Sequence, residues 1–259
     1  LRPGNKANAA LQTLQEWSAA NVLQINTKKT KAVIFRPKSK QITCDHITLL
    51  YTNEAIEIVS SVKILGVTFT QNMLWDLHIE SVLGKLSRVV GMMARHRLIL
   101  PFKIKLLVYN ALFFSSLYYC FLVWGTTTYT NLERLHVLQK KFLRALFNVP
   151  YNSHTSDLFL KGNVIRVFTL YNYKLSIAFK REIKENLKFF HELSHLAKNT
   201  HSYGTRYIEQ WKVVTARTSY SMQKLSYTLP TLLNSFHKLH IELKITSART
   251  LREHFINSC

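Results

Sequence analysis

The sequence predicts an α+β fold that is mostly α, with a small α/β region followed by a helical bundle and a mainly helical extension. Two observations carry this. Short runs rich in β-branched and aromatic residues are confined to the first seventy residues, and from about residue 78 the apolar residues recur with the period of a helix. That change of period, and the loosening of the pattern from Pro150, divide the chain into regions 1–77, 78–149 and 150–259.

Taken in order, Leu11, Leu14 and Trp17 recur at roughly helical spacing before Asn21 breaks the pattern. After a turn at Asn26–Thr30, Ala32-Val33-Ile34-Phe35 forms a β-rich run ended by Pro37, and Ile56 and Ile58 alternate about Glu57 as in a half-buried strand. Val62 to Phe69 reads as the best strand of the sequence, with Gly66 marking a bulge or a close backbone approach. Ile79, Val82, Leu83, Leu86, Val89, Val90 and Met93 then fall on one helical stripe, with Lys85, Arg88 and Arg95 off it. Pro101 opens a long apolar helix to about Trp124. A third helix, from about Asn131 to Phe147, has Leu135, Leu138, Phe142 and Leu146 on its seam and Arg134, Lys140, Lys141 and Arg144 on a basic outer face. Short links between the three predict a bundle. Beyond Pro150 the pattern predicts a long helix from about Phe168 to Leu196 and a last one from about Ser247 to Ile256.

At 259 residues and 47% hydrophobic content the chain can bury a substantial core, which excludes disorder as its default state. Its 35 Lys+Arg against 14 Asp+Glu leave a net charge of +21, and the excess recurs along most of the chain. A surplus of this size implies a polyanionic partner, nucleic acid or an acidic membrane face. Cys44, Cys120 and Cys259 stand far apart with no CxxC pair, so neither a disulfide framework nor a thiolate zinc site is indicated, and a reducing, intracellular compartment fits. No secretory signal opens the chain, and Leu1 in place of Met leads us to expect a true start further upstream. Leu106 to Trp124 is uncharged for nineteen residues, a length that spans a bilayer, so a single-span membrane protein is one reading. Asn110, Ser115, Ser116 and three tyrosines along its middle favour a buried core helix instead.

Five segments, in order, resemble the reverse transcriptases of non-LTR (LINE-type) retrotransposons. Leu14, Trp17, Asn21, Leu23, Asn26, Lys29, Thr30 and Phe35 look like the segment that follows the polymerase catalytic motif. Lys63-Ile64-Leu65-Gly66-Val67, with Leu74-Trp75 and His78-Ile79, is similar to the primer-grip strand and turn. Leu100-Pro101, Tyr109, Tyr119-Cys120, Val123-Trp124-Gly125 and Leu138-Gln139-Lys140-Lys141 with Arg144 resemble the thumb signature. His154-Thr155, Leu158-Phe159, Asn163 and Leu170-Tyr171, and then His201-x-Tyr203-x-Thr205-Arg206, are similar to post-thumb segments, whereas Leu229-Pro230-Thr231-Leu232-Leu233-Asn234 departs from the family's pattern. The resemblance implies a palm remnant (1–77), a helical thumb (78–149) and a C-terminal extension (150–259), acting on RNA and DNA as template-primer in nucleus or cytoplasm.

Such polymerases join nucleotides with two metal ions held by aspartates, one of them in a Tyr-x-Asp-Asp turn. The three aspartates here, Asp45, Asp76 and Asp157, form no such turn. We therefore expect no cofactor in this chain, magnesium in a full-length polymerase that includes the missing upstream portion, and nucleic-acid binding without polymerisation. The resemblance places Lys29 as a possible accessory lysine near the triphosphate, although an exposed turn lysine beside Lys28 and Lys31 is the plainer use. Lys63 and Gly66 suit phosphate contact by one cation and a close backbone approach, and Lys85, Arg88, Lys140, Lys141 and Arg144 would track phosphates along the helices. A competing motif is His191-Glu192-Leu193-Ser194-His195, an HExxH with His201 at third-ligand spacing, which on a helix would make a zinc metallohydrolase. Lys198 stands where that motif needs Gly for the turn towards the third ligand.

Overall fold

A computed structural model describes residues 3–38, 48–199 and 210–257. Cys44, Asp45, Cys259 and the His201-x-Tyr203-x-Thr205-Arg206 segment lie outside the described residues. The chain forms two compact units, residues 1–81 and 82–259. It is mostly helical with a few small sheets, as the sequence predicts.

The first unit begins with α1 (Pro3–Ala20). Only part of its expected apolar stripe is covered: Leu11 packs on a core of Leu49, Tyr51 and Ile56, whereas Leu14 and Trp17 are 39% and 55% exposed. Ser18 and Tyr51 join α1 to this core by a buried hydroxyl pair at 2.9 Å. The β-rich run after Thr30 pairs only over β1 (Lys31–Ala32), because its parallel partner, β4 (Glu57–Ile58), is just as short. Between them β2 (Leu50–Tyr51) and β3 (Glu54–Ala55) close a small antiparallel hairpin.

The strand expected over Val62 to Phe69 is two strands, β5 (Ser61–Ile64) and β6 (Val67–Thr70), folded on each other with Ile64 opposite Val67. Leu65 and Gly66 form the two-residue turn, at φ 47° and 84°. Positive φ at both central residues is the turn whose twist matches that of a hairpin, and it requires a glycine or an equally permissive residue at its second position. Gly66 is therefore a turn residue, not a bulge. Phe69 meets Trp75 edge-on at 5.5 Å, and His78 Nδ1 accepts from the Thr68 N–H at 3.4 Å, so the hairpin rests on the residues that open the next helix.

That helix, α2 (Asp76–His96), buries Ile79, Val82, Leu83, Leu86, Val90 and Met93 of the stripe read from the sequence, leaves its Val89 half-buried, and leaves Lys85, Arg88 and Arg95 exposed.

In the second unit the apolar helix expected from Pro101 to Trp124 is broken. It runs as α3 (Phe102–Val108), a π-helical turn over Tyr109–Phe114 and α4 (Ser115–Tyr118), then stops at Cys120, in left-handed conformation at φ 49°, before α5 (Phe121–Trp124). The Trp124 indole N–H donates to the Tyr119 carbonyl freed by this break, at 2.9 Å. Among the described residues no helix is long and apolar enough to cross a membrane.

α6 (Tyr129–Phe147) is capped by the Thr128 hydroxyl and ends on Asn148 in left-handed conformation. The helix expected to run from Phe168 to Leu196 is divided. α8 (Val167–Glu185), preceded by α7 (Ser156–Lys161), ends at left-handed Asn186, and α9 (Phe189–Leu193) follows. The buried Glu182 carboxylate accepts from the Phe190 and His191 N–H groups, at 2.5 and 2.9 Å, which caps α9 and fixes the bend. Two helices went unanticipated, α10 (Ser219–Met222) and α11 (Leu225–Lys238), while α12 (Ala248–Asn257) lies where the sequence puts it. Leu175 and Phe179 of α8, Leu229 and Phe236 of α11, and Leu251 and Phe255 of α12 share one core.

Candidate nucleic-acid interface

Asn26 builds the turn that carries Lys29: its side chain accepts from the Lys29 N–H at 3.1 Å, and its carbonyl accepts from the Thr30 hydroxyl at 2.9 Å. Lys29 is exposed beside exposed Lys28. In the hairpin Lys63 is exposed opposite Thr68, and Gly66 presents an exposed turn backbone with no Cβ to hold a strand away. On α2, Lys85 is exposed and the Arg88 Nε donates to the Gly84 carbonyl at 3.2 Å, which lays the guanidinium along its own helix.

On α6 the expected single basic face is two faces. Lys141 is exposed on the same side as Arg134, seven residues away. Lys140 and Arg144, one turn apart, border instead a cleft of about 650 Å³ together with His136, Ser153, Phe159 and Arg166. The Arg144 Nε donates to the Ser153 carbonyl at 3.0 Å, holding the loop after α6 against the helix, and Lys140 lies 3.7 Å from Glu133. Arg166 lies over the Phe159 ring at 5.0 Å, and burial lowers its pKa. His136, 7% exposed, stacks on Phe159 and meets Phe168 edge-on at 5.0 Å. Burial, and then the Lys140 charge, push its pKa down to about 4, so the ring is neutral at pH 7.

Not every cation faces outward. The Lys105 ammonium is buried, donating to the Arg97 carbonyl at 3.1 Å and to Asn148 Oδ1 at 2.9 Å, and burial lowers its pKa. Lys174 donates to the Tyr118 carbonyl at 2.5 Å and lies 3.8 Å above that residue's ring, and Lys180 donates to the Leu243 carbonyl at 2.7 Å. These side chains are engaged on carbonyls of the chain itself, so part of the +21 is used within the fold.

The HExxH does not form a zincin site. α9 ends at Leu193 and His195 is left-handed at φ 51°, so the two imidazoles do not share a helical face. Among the described residues no three His, Cys, Asp or Glu side chains gather as a metal site, and Asp76 opens α2 while Asp157 lies on α7. The carboxylates described here do not fit the paired-metal chemistry of a polymerase.

No family model matches the chain, and no solved structure does. Over 153 residues it is 27% identical to the RNA-directed DNA polymerase from mobile element jockey of Drosophila funebris, which covers 57% of this chain and 16% of that polymerase. The counterpart from Drosophila melanogaster is 25% identical over 153 residues, with the same coverage. The chain carries a reverse-transcriptase-related region. It spans about 16% of the length of these relatives.

Sequence reasoning missed Gln139, His136 and Arg166 as architects of the α6 face. A signal was present for the first: Gln139 occupies a seam position between Leu135 and Phe142, where a polar side chain needs buried partners. Arg166 carried none, since it becomes a neighbour of α6 only through the fold.

Proposed function

We propose that this chain is the post-catalytic part of a non-LTR retrotransposon reverse transcriptase: palm remnant with primer grip (1–77), thumb (78–149) and extension (150–259). In this reading it binds RNA and DNA template-primer and does not itself polymerise. The observation that carries the reading is the 153-residue relation to the jockey polymerases. Exposed cations at Lys63, Lys85 and Lys141, with Lys140, Arg144 and the open turn at Gly66, supply sequence-independent phosphate contacts. Lys29, in an exposed turn, is an accessory lysine for an upstream portion that would bring the paired aspartates and magnesium. The setting is intracellular, nucleus or cytoplasm.

The test is binding of a primed RNA template to the full chain as salt is raised. About six neutralised phosphates cost on the order of a thousandfold in affinity between roughly 50 and 200 mM salt. Given nucleotides and magnesium, the same preparation should extend no primer. Binding that ignores salt would refute the first half of the reading, and primer extension the second.

A further inference from the structure

We infer that the cleft along α6 binds a short single-stranded stretch of nucleic acid, with phosphates held by Lys140, Arg144 and Arg166 and a base stacked on Tyr129. The inference rests on the nucleic-acid reading above and gives it a strand form and a place.

Among the described residues Lys140, Arg144 and Arg166 border this cleft, and no carboxylate lines it. Glu133, 3.7 Å from Lys140, is a partly exposed partner and offsets little of their mutual repulsion. Arg166 is partly withdrawn from water over Phe159, and Arg144 has only its Nε engaged, on Ser153, leaving the fork of its guanidinium for bidentate contact with a phosphate. Like charges gathered in a partly dry cleft are unfavourable by themselves and become favourable when an anion enters. Neutral His136 adds no charge to this group of cations. Asn152, Ser153 and Ser156 in the wall bring polar side chains of the kind that accompany phosphate contacts.

A second observation points to bases. Tyr129, at the start of α6, stacks one face on Phe168 at 5.2 Å and 18°, yet remains 71% exposed. Phe168 in turn meets His136, so an unbroken series of rings links the tyrosine to the cationic cleft. An exposed aromatic beside a basic groove is how unpaired bases are held, and a base inside a duplex cannot offer its face in this way.

The experiment compares fluorescence anisotropy of the full chain with a labelled single strand of about ten nucleotides, within the range such sites occupy, and with a duplex of the same length. Tyr129→Ala should weaken single-strand binding about tenfold, as expected for losing one stacked base, and leave duplex binding nearly unchanged. Tyr129→Phe should restore it. Lys140→Gln with Arg166→Gln should flatten the salt slope by about two phosphate contacts. Wild-type-like single-strand binding by both Tyr129→Ala and the double variant would overturn the cleft while leaving the broader reading intact, provided the duplex still binds with a steep salt slope. A chain that binds neither form would overturn both. Displacement of the strand by an equimolar phosphoserine peptide would make the partner a protein and also overturn the inference.

Discussion

Gln139 donates its side-chain amide to the Tyr109 hydroxyl at 2.9 Å, and both residues are all but fully buried. The same amide donates to the Ile165 carbonyl at 2.8 Å, and its oxygen accepts from the Val167 N–H at 3.2 Å. One side chain thus joins the π-helical turn, α6 and the start of α8. Gln139→Leu would fill the space and strand all three partners, with an expected loss of about 3 kcal/mol, since each buried polar group left without a partner costs about 1–3 kcal/mol. Urea unfolding measures this, and a loss under about 1 kcal/mol would show that the partners find water or one another.

His136 gives the fold an acid-sensitive point. Its pKa is about 4 in the folded chain against 6.5 for the free side chain, so between these values the unfolded chain binds the extra proton. Stability is unaffected above pH 6.5 and falls as pH drops towards 4, where the penalty is complete. Discounted for solvent screening from the open cleft that the ring borders, the loss is about 1–2 kcal/mol. Comparing urea midpoints at both ends of this window isolates the effect: His136→Phe, which keeps the ring contacts, should lose less stability on acidification than the wild-type chain. Equal losses would put the titration elsewhere.

The hairpin turn makes opposite predictions for adjacent residues. Gly66→Val places a branched side chain at φ 84° and should destabilise the first unit by about 1–2 kcal/mol or more. Leu65→Asn puts a residue suited to left-handed backbone where an 82% exposed leucine now sits, and should stabilise by about 0.5–1 kcal/mol. Thermal unfolding of the two variants should move in opposite directions.

Replacing Lys140, Lys141 and Arg144 together by Gln should weaken binding to all sequences alike and reduce the salt slope by roughly three phosphate contacts. The triple variant should also lose about 1 kcal/mol of stability, because Arg144 holds Ser153, whereas Lys141→Gln alone should lose none. Unchanged affinity and slope in a folded triple variant would reduce this helix face to solvated surface.

The capping of α9 separates structure from metal binding at the HExxH. Glu182→Ala removes the acceptor for two N–H groups and should cost about 2 kcal/mol, while His191→Ala, which keeps its backbone N–H, should be nearly neutral. Zinc that copurifies one-to-one and is lost in His191→Ala would contradict the geometry.

Periodicity made the helices legible wherever a single stripe is buried: Ile79 to Met93 and Leu135 to Leu146 could be read directly. It failed where conformation turns on one residue. Nothing in the apolar run around Cys120 announces a left-handed break, and Val62 to Phe69 reads as continuous because Leu65 is an unusual residue for a tight turn. The α6 cations could be listed from sequence but not sorted, because Lys140 and Lys141 are neighbours in the chain and lie on different sides of the helix.

Lys105 places its ammonium on the Arg97 carbonyl in a buried position, so mobile ions hardly reach this link. The cations that would hold a polyanion lie at the surface or along an open cleft, within reach of the electrolyte. Concentrated salt should therefore strip bound polymer from this chain and leave it folded, so that a molar wash recovers a native, polyanion-free preparation.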